Sequence, residues 1–357
     1  MKLKFYNKKI TGIISILPKN KVYFKNEMNN YNFSKKQSLK LAKIMGYSSR
    51  RVVNEKTSVS DLCVFGLNYL FKKKLIKKDK IDALVLVTQS PDYFLPPTSN
   101  VISGKINLRP DVICLDINQG CAGYEVGLIQ AFMLLEQKNI SKVLVLNADV
   151  LSKKVSIKDR NSRPLIGDGA TITIVEKSKA NEKINAYIKM DGKKYDSLII
   201  PAGGFKQQSN SSTKKLKKDK FGNSRSLEHL LMKGDDIFNF VVTKVPEMLN
   251  EIYKDLKIKK EYFDYFFFHQ PNKFILEKLA NKIEIANSKL PSNIVENFGN
   301  GSGITVPLNI CFNLGSKATK KEYKVCLGGF GVGLTWSIIV CNIKKLSFCK
   351  IIEFKKW

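Results

Sequence analysis

Residues 115–137 read LDINQGCAGYEVGLIQAFMLLEQ, a strand that passes through a glycine turn into a long apolar helix. The predicted helix, 125–137, has apolar residues on nearly every side, so we expect it to be buried. Cys121 stands in the turn, next to the positive end of the helix dipole, and this position favours the thiolate over the thiol. Neighbouring glycines let a substrate carbonyl approach the backbone. The stretch alone does not distinguish a nucleophilic thiol from a buried structural cysteine.

Apolar strands and helices alternate through all 357 residues, which favours an α/β layered fold. The polar, basic stretch 206–226 has no periodicity and is expected to be a mobile surface excursion. We place a boundary near residue 180, between an N-terminal half (1–180) and a C-terminal half (181–357). The predicted strands are 82–88, 142–148, 170–177, 264–269 and 322–329, and the predicted helices are 63–74, 125–137, 244–256 and 273–281.

The composition is that of an ordinary globular protein, with 43% hydrophobic and 10% aromatic residues. No stretch approaches the ~20 apolar residues of a membrane helix, and the first residues lack a signal-peptide pattern. We therefore expect a cytoplasmic protein without membrane insertion. The seven cysteines include no CxxC pair, so neither a disulfide framework nor a metal site is expected.

The net charge is +30, from 61 Lys and Arg residues against 31 Asp and Glu residues. We favour a lysine-rich composition spread over solvated faces, with an acidic carrier protein as the second interpretation. Nucleic acid is not an expected partner, because the chain has no RNP-like motif, no helix-turn-helix signal and no arginine stripe with interleaved aromatics. A net charge bears on association and not on the fold.

An imidazole follows the strand in residues 263–280, FDYFFFHQPNKFILEKLA. His269 stands at the carboxyl end of this strand, where α/β folds place reacting groups. A hydrogen-bonded structural histidine is the alternative. The chain has two histidines, and His229 lies in an amphipathic surface-like segment. If the site needs an imidazole, His269 provides it.

Two glycine-rich stretches add polar groups to the list of candidates. In VENFGNGSGITVPLNI (295–310), Asn300 stands between glycines ahead of a helix. Its amide can donate to a carbonyl oxygen without titrating, which suits a developing enolate, although asparagine in a glycine turn is common. CLGGFGVGLTWS (326–337) lacks the GxxxxGK[ST] pattern, so backbone N–H groups that face an oxyanion are the better interpretation. Asp168, between glycines, is expected to be a structural latch.

The motifs QGCAGY, IGDGAT, HQPN, FGNGSG and GFGVGLTW, in this order, resemble the β-ketoacyl-acyl-carrier-protein synthase III family of the thiolase superfamily. The segments TQSPDYFLPPTS (88–99) and ISILPKN (14–20) extend the resemblance, which covers about residues 14–337. No single motif is specific for this family, whereas the five motifs together are. The resemblance implies an α/β, thiolase-like fold with two pseudo-duplicated halves in five layers, α-β-α-β-α, and a homodimer.

The resemblance also implies an acyltransferase that catalyses decarboxylative Claisen condensation of an acyl thioester with a malonyl-carrier protein. Cys121 would carry the acyl group, while His269 and Asn300 would hold the malonyl thioester carbonyl as CO2 leaves. The backbone N–H groups of Cys121 and Val332 would form the oxyanion hole, and Asn272 would support the site. The substrates would be acyl carrier protein and an acyl-CoA or other acyl thioester donor, without a cofactor or metal.

The expected substrate contacts depart from the family pattern. Members primed by acetyl-CoA carry Trp and Arg residues that help to hold CoA, and Lys40 and Ile44 stand at those places here. Arg50 and Arg51 are candidate phosphate contacts, with surface charge as the alternative, and Lys273 is the candidate contact to the carrier protein. Both CoA-bound and carrier-bound acyl donors therefore stay open.

Other classes of function stay open as well. A relative with the same acyl-cysteine step would transfer the acyl group to an oxygen, nitrogen or other carbon nucleophile. A non-catalytic partner subunit, or a basic binding protein on the same scaffold, usually loses the nucleophile, which this chain keeps. A 3-hydroxy-3-methylglutaryl-CoA synthase would need a glutamate base near the PDY segment, and no glutamate lies between Glu55 and Glu125.

Overall fold

The computed structural model of the protein describes residues 1–355. Its helices are, in chain order, α1 Phe24–Glu27, α2 Lys35–Met45, α3 Val59–Lys72, α4 Thr98–Lys105, α5 Gly123–Leu134, α6 Ser211–Lys214, α7 Gly234–Leu256, α8 Lys273–Lys282, α9 Ile294–Phe298 and α10 Thr305–Asn313. Its strands are β1 Lys2–Tyr6, β2 Lys8–Pro18, β3 Lys21–Tyr23, β4 Ser49–Arg51, β5 Ala83–Val87, β6 Ile113–Ile117, β7 Lys142–Asp149, β8 Gly169–Lys177, β9 Lys183–Met190, β10 Leu198–Ile199, β11 Lys217–Lys218, β12 Ser224–Arg225, β13 Leu231–Met232, β14 Tyr265–Phe268, β15 Glu322–Gly331, β16 Thr335–Lys344 and β17 Phe348–Phe354.

Two large sheets repeat one topology. The first has the order β17-β2-β8-β7-β5-β6 and the second has the order β1-β9-β16-β15-β14. In the first sheet β8 runs antiparallel to β2 and β7, and β7 runs parallel to β5. In the second, β16 runs antiparallel to β9 and β15, and β15 runs parallel to β14. Four strands of the first sheet, β2-β8-β7-β5, and four of the second, β9-β16-β15-β14, therefore share one order and one set of directions, which confirms the pseudo-duplicated α/β fold.

The chain passes from the first sheet to the second near residue 180, between β8 and β9. Each terminal strand lies in the sheet of the other half, since β1 pairs with β9 and β17 pairs with β2. We propose that the repeat divides the chain into 1–180 and 181–357. In this division β1 and β17 each lie in the sheet of the opposite half. The last two residues of the second range lie outside the described residues.

Helices α5 and α10 lie between the two sheets. Phe132 of α5 shares one hydrophobic cluster with Val145 of β7 and Leu327 of β15, and Ile310 of α10 belongs to the same cluster. Helices α3 and α4 cover the outer face of the first sheet, while α7 and α8 cover the outer face of the second. These are the five expected layers, with α5 buried as its apolar pattern predicts.

Most predicted elements match the structure within a few residues, and α7 is the main exception. It begins at Gly234 instead of residue 244 and continues through Pro246. The early turns bury Ile237, Phe240 and Val241 against the second sheet. This burial favours the helix and offsets the hydrogen bond that the proline removes.

Contrary to the expectation of a mobile excursion, the stretch 206–226 has hydrogen-bonded structure. Asn210 caps α6 and accepts from two backbone N–H groups, and β11 pairs with β12. Arg225 forms ion pairs with Asp159 at 3.1 Å and with Asp219 at 2.7 Å. Polar side chains that lack any periodicity thus hold this segment by pairing with one another and with a neighbouring loop.

The described residues set some limits on function. Within 1–355, no helix is both long and apolar enough to cross a membrane. In the same range, no group of three or more His, Cys, Asp or Glu side chains is arranged to hold a metal ion. All seven cysteines are free thiols, and each except Cys114 is buried.

Candidate active site

Cys121 lies in the tight turn that joins β6 to α5. The Gly123 N–H donates to the Gly120 carbonyl at 2.7 Å and closes this turn. Both glycines are needed for steric reasons. A Cβ at Gly120 would lie 2.3 Å from Oε1 of Gln89, and one at Gly123 would lie 2.6 Å from Cγ1 of Val87. The backbone around the thiol is therefore packed directly against the carboxyl end of β5.

A cavity of about 380 Å³ reaches Cys121 from outside. Polar side chains and apolar side chains share its wall. Both groups come from several parts of the chain, including the loop before α10 and the strands β10 and β13. The polar lining residues are Gln89, Asn118, Ser162, Asn300 and Ser302, and the apolar ones include Leu151, Leu165, Ile166, Leu198, Ile199, Ile200, Leu230 and Met232.

Burial raises the pKa of the Cys121 thiol to about 11. The backbone N–H of Val332, the Ser302 hydroxyl and the N–H of Cys121 itself act in the other direction, but desolvation outweighs them. The expectation of a thiolate is therefore wrong for the resting protein. It took account of the helix terminus and not of the loss of water around the sulfur.

The glycine-rich segment at the end of β15 packs against the thiol. A Cβ at Gly331 would lie 2.6 Å from Sγ of Cys121, and one at Gly329 would lie 2.5 Å from Cα of Ala122. This close approach brings the backbone N–H of Val332 to the sulfur. Two backbone donors, from Cys121 and Val332, therefore face the same small volume. They suit an oxyanion hole, and that role stays a prediction.

Asn300 lines the same cavity, and its backbone is fixed on both sides. Its N–H donates to the Leu165 carbonyl at 2.7 Å, and its carbonyl accepts from the Gly167 N–H at 3.0 Å. Its side-chain Oδ1 accepts from the Ser302 N–H at 2.8 Å. With Oδ1 engaged in this way, the amide NH2 is the part that can donate to a ligand.

His269 follows β14 and adjoins the cavity through Ser302. Its side chain is 1% exposed, Nδ1 lies 2.8 Å from Oγ1 of Thr305, and the ring packs edge-on against Phe330 at 5.8 Å between centroids. Burial lowers the pKa of His269 to about 3, and the Ser302 backbone only partly counteracts this. The imidazole is therefore neutral at physiological pH.

Asn272 holds the turn that follows His269. It is the N-cap of α8, and its Oδ1 accepts from the Ile275 N–H at 2.8 Å. In the same turn, Nε2 of Gln270 donates to the carbonyls of Phe268 and Pro291. The HQPN motif thus fixes its own backbone with its side chains, which places His269 at the sheet edge.

The two arginines predicted as phosphate contacts have protein partners instead. Arg50 is 2% exposed, and its Nη2 lies 2.8 and 2.9 Å from the two carboxylate oxygens of Glu27. Arg51 pairs with Glu353 at 2.9 Å. Neither guanidinium is placed to meet a substrate phosphate, which corrects that interpretation. Lys273 keeps 37% of its side chain exposed, and its carrier contact stays a prediction.

Four polar residues near the thiol were not singled out from the sequence: Gln89, Asp149, Ser302 and Thr305. Asp149 ends β7, and its Oδ1 accepts from the Gln89 N–H at 2.8 Å and from Oγ of Ser90 at 2.9 Å. The Ser302 hydroxyl donates to Oε1 of Gln89 at 2.9 Å. Asp149 and Gln89 lie at the carboxyl ends of adjacent parallel strands. Since α/β folds place reacting groups at such strand ends, this position could have identified both residues from the sequence.

Two family models match the chain. The model described as 3-oxoacyl-[acyl-carrier-protein (ACP)] synthase III matches residues 115–192. The model described as the C terminal part of the same synthase matches residues 252–343. Cys121 falls in the first match, and His269, Asn300 and Val332 fall in the second.

Individual relatives match over nearly the whole length. A Campylobacter jejuni protein provisionally named a 3-oxoacyl-[acyl-carrier-protein] synthase 3 is 33% identical, with 100% of this chain and 99% of the relative covered. The beta-ketoacyl-[acyl-carrier-protein] synthase III of Streptococcus mutans is 30% identical, with 84% and 88% covered. A solved structure of a Burkholderia xenovorans 3-oxoacyl-(acyl-carrier protein) synthase is 30% identical, with a TM-score of 0.91 and 99% of each chain covered.

Proposed function

Because the chain belongs to the 3-oxoacyl-[acyl-carrier-protein] synthase III family, we propose that it catalyses decarboxylative condensation of an acyl thioester with a malonyl-carrier protein. The chain is an enzyme of this family, and we infer the finer class, an acyltransferase that works through acyl-Cys121. One observation carries the proposal. The Cys121 thiol, the Asn300 amide and the Val332 backbone meet at a single cavity.

The first half of the proposed reaction transfers the acyl group to Cys121. Attack by the sulfur places negative charge on the acyl carbonyl oxygen. The N–H groups of Cys121 and Val332 act on the sulfur in the resting protein, so they would lie next to that oxygen. Donors fixed before the reaction stabilise such charge without reorganisation.

The second half needs donors for the enolate that forms as CO2 leaves. The Asn300 NH2 can donate without losing a proton. His269 is neutral, and the Thr305 hydroxyl lies within hydrogen-bond distance of its Nδ1. The Thr305 hydroxyl also donates to the Ser302 carbonyl at 2.9 Å. The ring proton therefore resides on Nε2, where it can serve the thioester oxygen, only in the arrangement in which Thr305 turns its proton to Nδ1. Each well-placed donor of this kind is typically worth ~2.7–4 kcal/mol.

The cavity wall supports a thioester substrate. Apolar side chains such as Leu165, Ile166 and Leu198 suit an acyl or pantetheine chain, while polar groups cluster at the thiol. We propose acyl carrier protein and an acyl-CoA or other acyl thioester as the substrates, with no further cofactor. Lys273, exposed at the start of α8, would contact the acidic carrier.

We also propose that the protein is a homodimer. Strand β6 is the edge of the first sheet, and Ile113 on it is 40% exposed. An unpaired edge is a template for pairing with another chain. Tyr93, Phe94 and Leu95 form a further exposed apolar segment, which is typical of an interaction surface.

Acylation of Cys121 tests the proposed function. Incubation with acyl-CoA should add the mass of one acyl group, and peptide mapping should place it on Cys121. Cys121→Ala should gain no mass. Cys114→Ala, a matched substitution outside the cavity, should be acylated like the wild type. Labelling at another cysteine, or no labelling by any of a panel of acyl-CoA and acyl-carrier donors, would overturn the proposal.

A further inference from the structure

Two cysteines outside the active site lie in contact with each other. Cys311 belongs to α10 and Cys349 to β17, 38 positions further along the chain, and their Sγ atoms are 3.8 Å apart. The S–H of Cys349 donates in this contact, and the S–H of Cys311 donates to the Ile13 carbonyl at 3.7 Å. The two thiols therefore form a short chain of weak hydrogen bonds that ends on β2.

Backbone pairing holds the two thiols together. In the parallel pairing of β17 with β2, Cys349 stands opposite Ile13, the same residue whose carbonyl meets Cys311. The Leu346 N–H donates to the Ala318 carbonyl at 2.8 Å, and this bond joins the start of β17 to the segment that follows α10. The contact between the sulfurs is therefore a consequence of the fold and not of one side-chain rotamer.

A cavity of about 560 Å³ opens onto this pair of thiols, and both cysteines line it. Apolar side chains such as Leu75, Phe348 and Ile351 form much of the remaining wall. Cys311 is 4% exposed and Cys349 is 5% exposed. With so little exposed surface, the sulfurs suit a small, uncharged reactant.

The surroundings favour oxidation of the two thiols over metal binding. Among residues 1–355, no third His, Cys, Asp or Glu side chain joins them in a group that could hold a metal ion, whereas a structural zinc site takes four such ligands. Two thiols in contact can instead lose two electrons and form a disulfide. The sulfurs would have to approach from 3.8 Å to about 2.0 Å, which side-chain rotation can provide.

We propose that Cys311 and Cys349 form a modification site at which hydrogen peroxide oxidises the two thiols to a disulfide. In the first step, the Cys311 thiol loses its proton and its sulfur attacks a peroxide oxygen. The O–O bond breaks, Cys311 becomes a sulfenic acid, and the hydroxide that leaves takes up the proton to give water. In the second step, the Cys349 sulfur attacks the sulfenic sulfur, the S–S bond forms, and the sulfenic hydroxyl leaves as water with the Cys349 proton. The two thiols lose two electrons in total, and the peroxide gains them.

The order of the two steps follows from the direction of the hydrogen bond. The S–H of Cys349 points to the Cys311 sulfur, so a negative charge on that sulfur already has a donor. The hydrogen bond with Cys311, together with burial, raises the pKa of the Cys349 thiol. Cys349 therefore retains its proton until the second step.

The disulfide would join an inner helix to a terminal edge strand. Strand β17 is one edge of the first sheet, and β6, the proposed dimer contact, is the opposite edge. The bond would close the chain between residues 311 and 349 and thereby restrict the unfolded state, which stabilises the folded one. This site goes beyond the proposed function, since it does not use Cys121.

The experiment exposes the full-length wild-type protein to hydrogen peroxide, blocks the remaining thiols, and measures intact mass and a peptide map without reductant. Before blocking, the mass should fall by about 2 Da for the two hydrogens lost, and residues 311 and 349 should appear in one linked peptide. Dithiothreitol should reverse the change. Cys311→Ser and Cys349→Ser should form no such link. Cys341→Ser, which replaces another buried cysteine of the same cluster, should form it like the wild type, and so should Cys121→Ala.

Thermal unfolding tests the effect on stability. The oxidised wild type should unfold about 5 °C above the same sample after dithiothreitol, and Cys311→Ser should show no such difference. Equal midpoints in the wild type would overturn the stabilising effect. Absence of the 311–349 peptide, or linkage of other cysteines in its place, would overturn the site. If the serine variants do not fold, the wild-type peptide map decides the question alone. A protein that forms the link but is not acylated at Cys121 would refute the proposed function and leave this inference intact.

Discussion

At the scale of single residues, the site is defined by which polar atoms are engaged and which remain to act. Asn300 uses Oδ1 to hold the Ser302 N–H, so its NH2 is the donor left for a substrate. His269 shares Nδ1 with Thr305, so Nε2 is the ring atom left for a substrate. Each side chain is held by one atom and presents another.

Asn300→Asp separates these two functions of the amide. The variant keeps Oδ1 for the Ser302 N–H and replaces the NH2 donor with a second oxygen. We expect condensation to slow by about 10²–10³-fold, the typical effect of losing one such donor, while acylation of Cys121 keeps most of its rate. Rapid-quench mass spectrometry measures the two steps separately. An equal loss in both steps would contradict the assignment of Asn300 to the second half.

Gly331→Ala tests the contact between the glycine-rich segment and the thiol. The added Cβ would lie 2.6 Å from Sγ of Cys121, and overpacking of this kind costs about 1–3 kcal/mol. We expect alkylation of Cys121 by iodoacetamide to fall by about 10–100-fold. Gly204→Ala is the control, because a Cβ there meets nothing within 4 Å. Unchanged alkylation in Gly331→Ala would mean that the segment is not seated on the sulfur.

At the scale of the elements, the sequence predicted most of what positions the site. The apolar pattern of α5 and the strand endings at Cys121 and His269 depend on local periodicity, and the structure confirms those elements. The early turns of α7 were missed because the predicted helix begins at residue 244, which places Pro246 in a first turn, where proline is tolerated. Burial against the second sheet instead keeps the helix intact from Gly234 through the proline. Tertiary contacts decide such cases, and periodicity does not record them.

The pKa values and the polar partners of the site residues were harder to predict from the sequence than the position of the site. The pKa of Cys121 depends on how much water the surrounding fold removes, and no local motif reports this. Asp149 and Ser302 belong to separate segments that meet only in the folded chain. Arg50 was read as a substrate contact because its partner, Glu27, is 23 positions away in the sequence.

The N-cap of α8 should matter for stability as well as for the position of His269. Asn272→Ala removes the acceptor of the Ile275 N–H, and we expect the free energy of unfolding to fall by about 0.5–2 kcal/mol. Urea denaturation measures this change. Asn272→Asp retains a capping oxygen and should lie much closer to the wild type. Equal losses in the two variants would indicate that Asn272 acts through something other than the cap.

At the scale of the whole molecule, two similar halves face each other across α5 and α10, and the site lies where they meet. Cys121 comes from the first half, and His269, Asn300 and Val332 come from the second. Neither half carries all four of these candidate residues. The net charge of +30 bears on association and not on this arrangement. A lysine-rich composition spread over solvated faces stays the favoured interpretation, and an acidic carrier protein stays the second.

The proposed dimer can be tested at the edge of the first sheet. Ile113→Lys places a positive charge on β6, where a second copy would bring the same charge close, so we expect dissociation to monomers. Ile157→Lys is the control, since Ile157 is also exposed but lies outside the sheets. Analytical ultracentrifugation measures the mass in solution. A wild-type protein that is monomeric, or an Ile113→Lys variant that stays dimeric, would rule out pairing along β6.

The central claim is that one thiol, one imidazole and one amide act on a single thioester. Its most direct test is a single turnover in which isolated acyl-enzyme is mixed with malonyl-carrier protein and CO2 release is counted against loss of the acyl group from Cys121. We predict one CO2 and one 3-oxoacyl product for each acyl group lost, with His269→Ala and Asn300→Ala retaining the acyl group and releasing no CO2. Acyl loss without CO2, or undiminished CO2 release from either variant, would contradict the account.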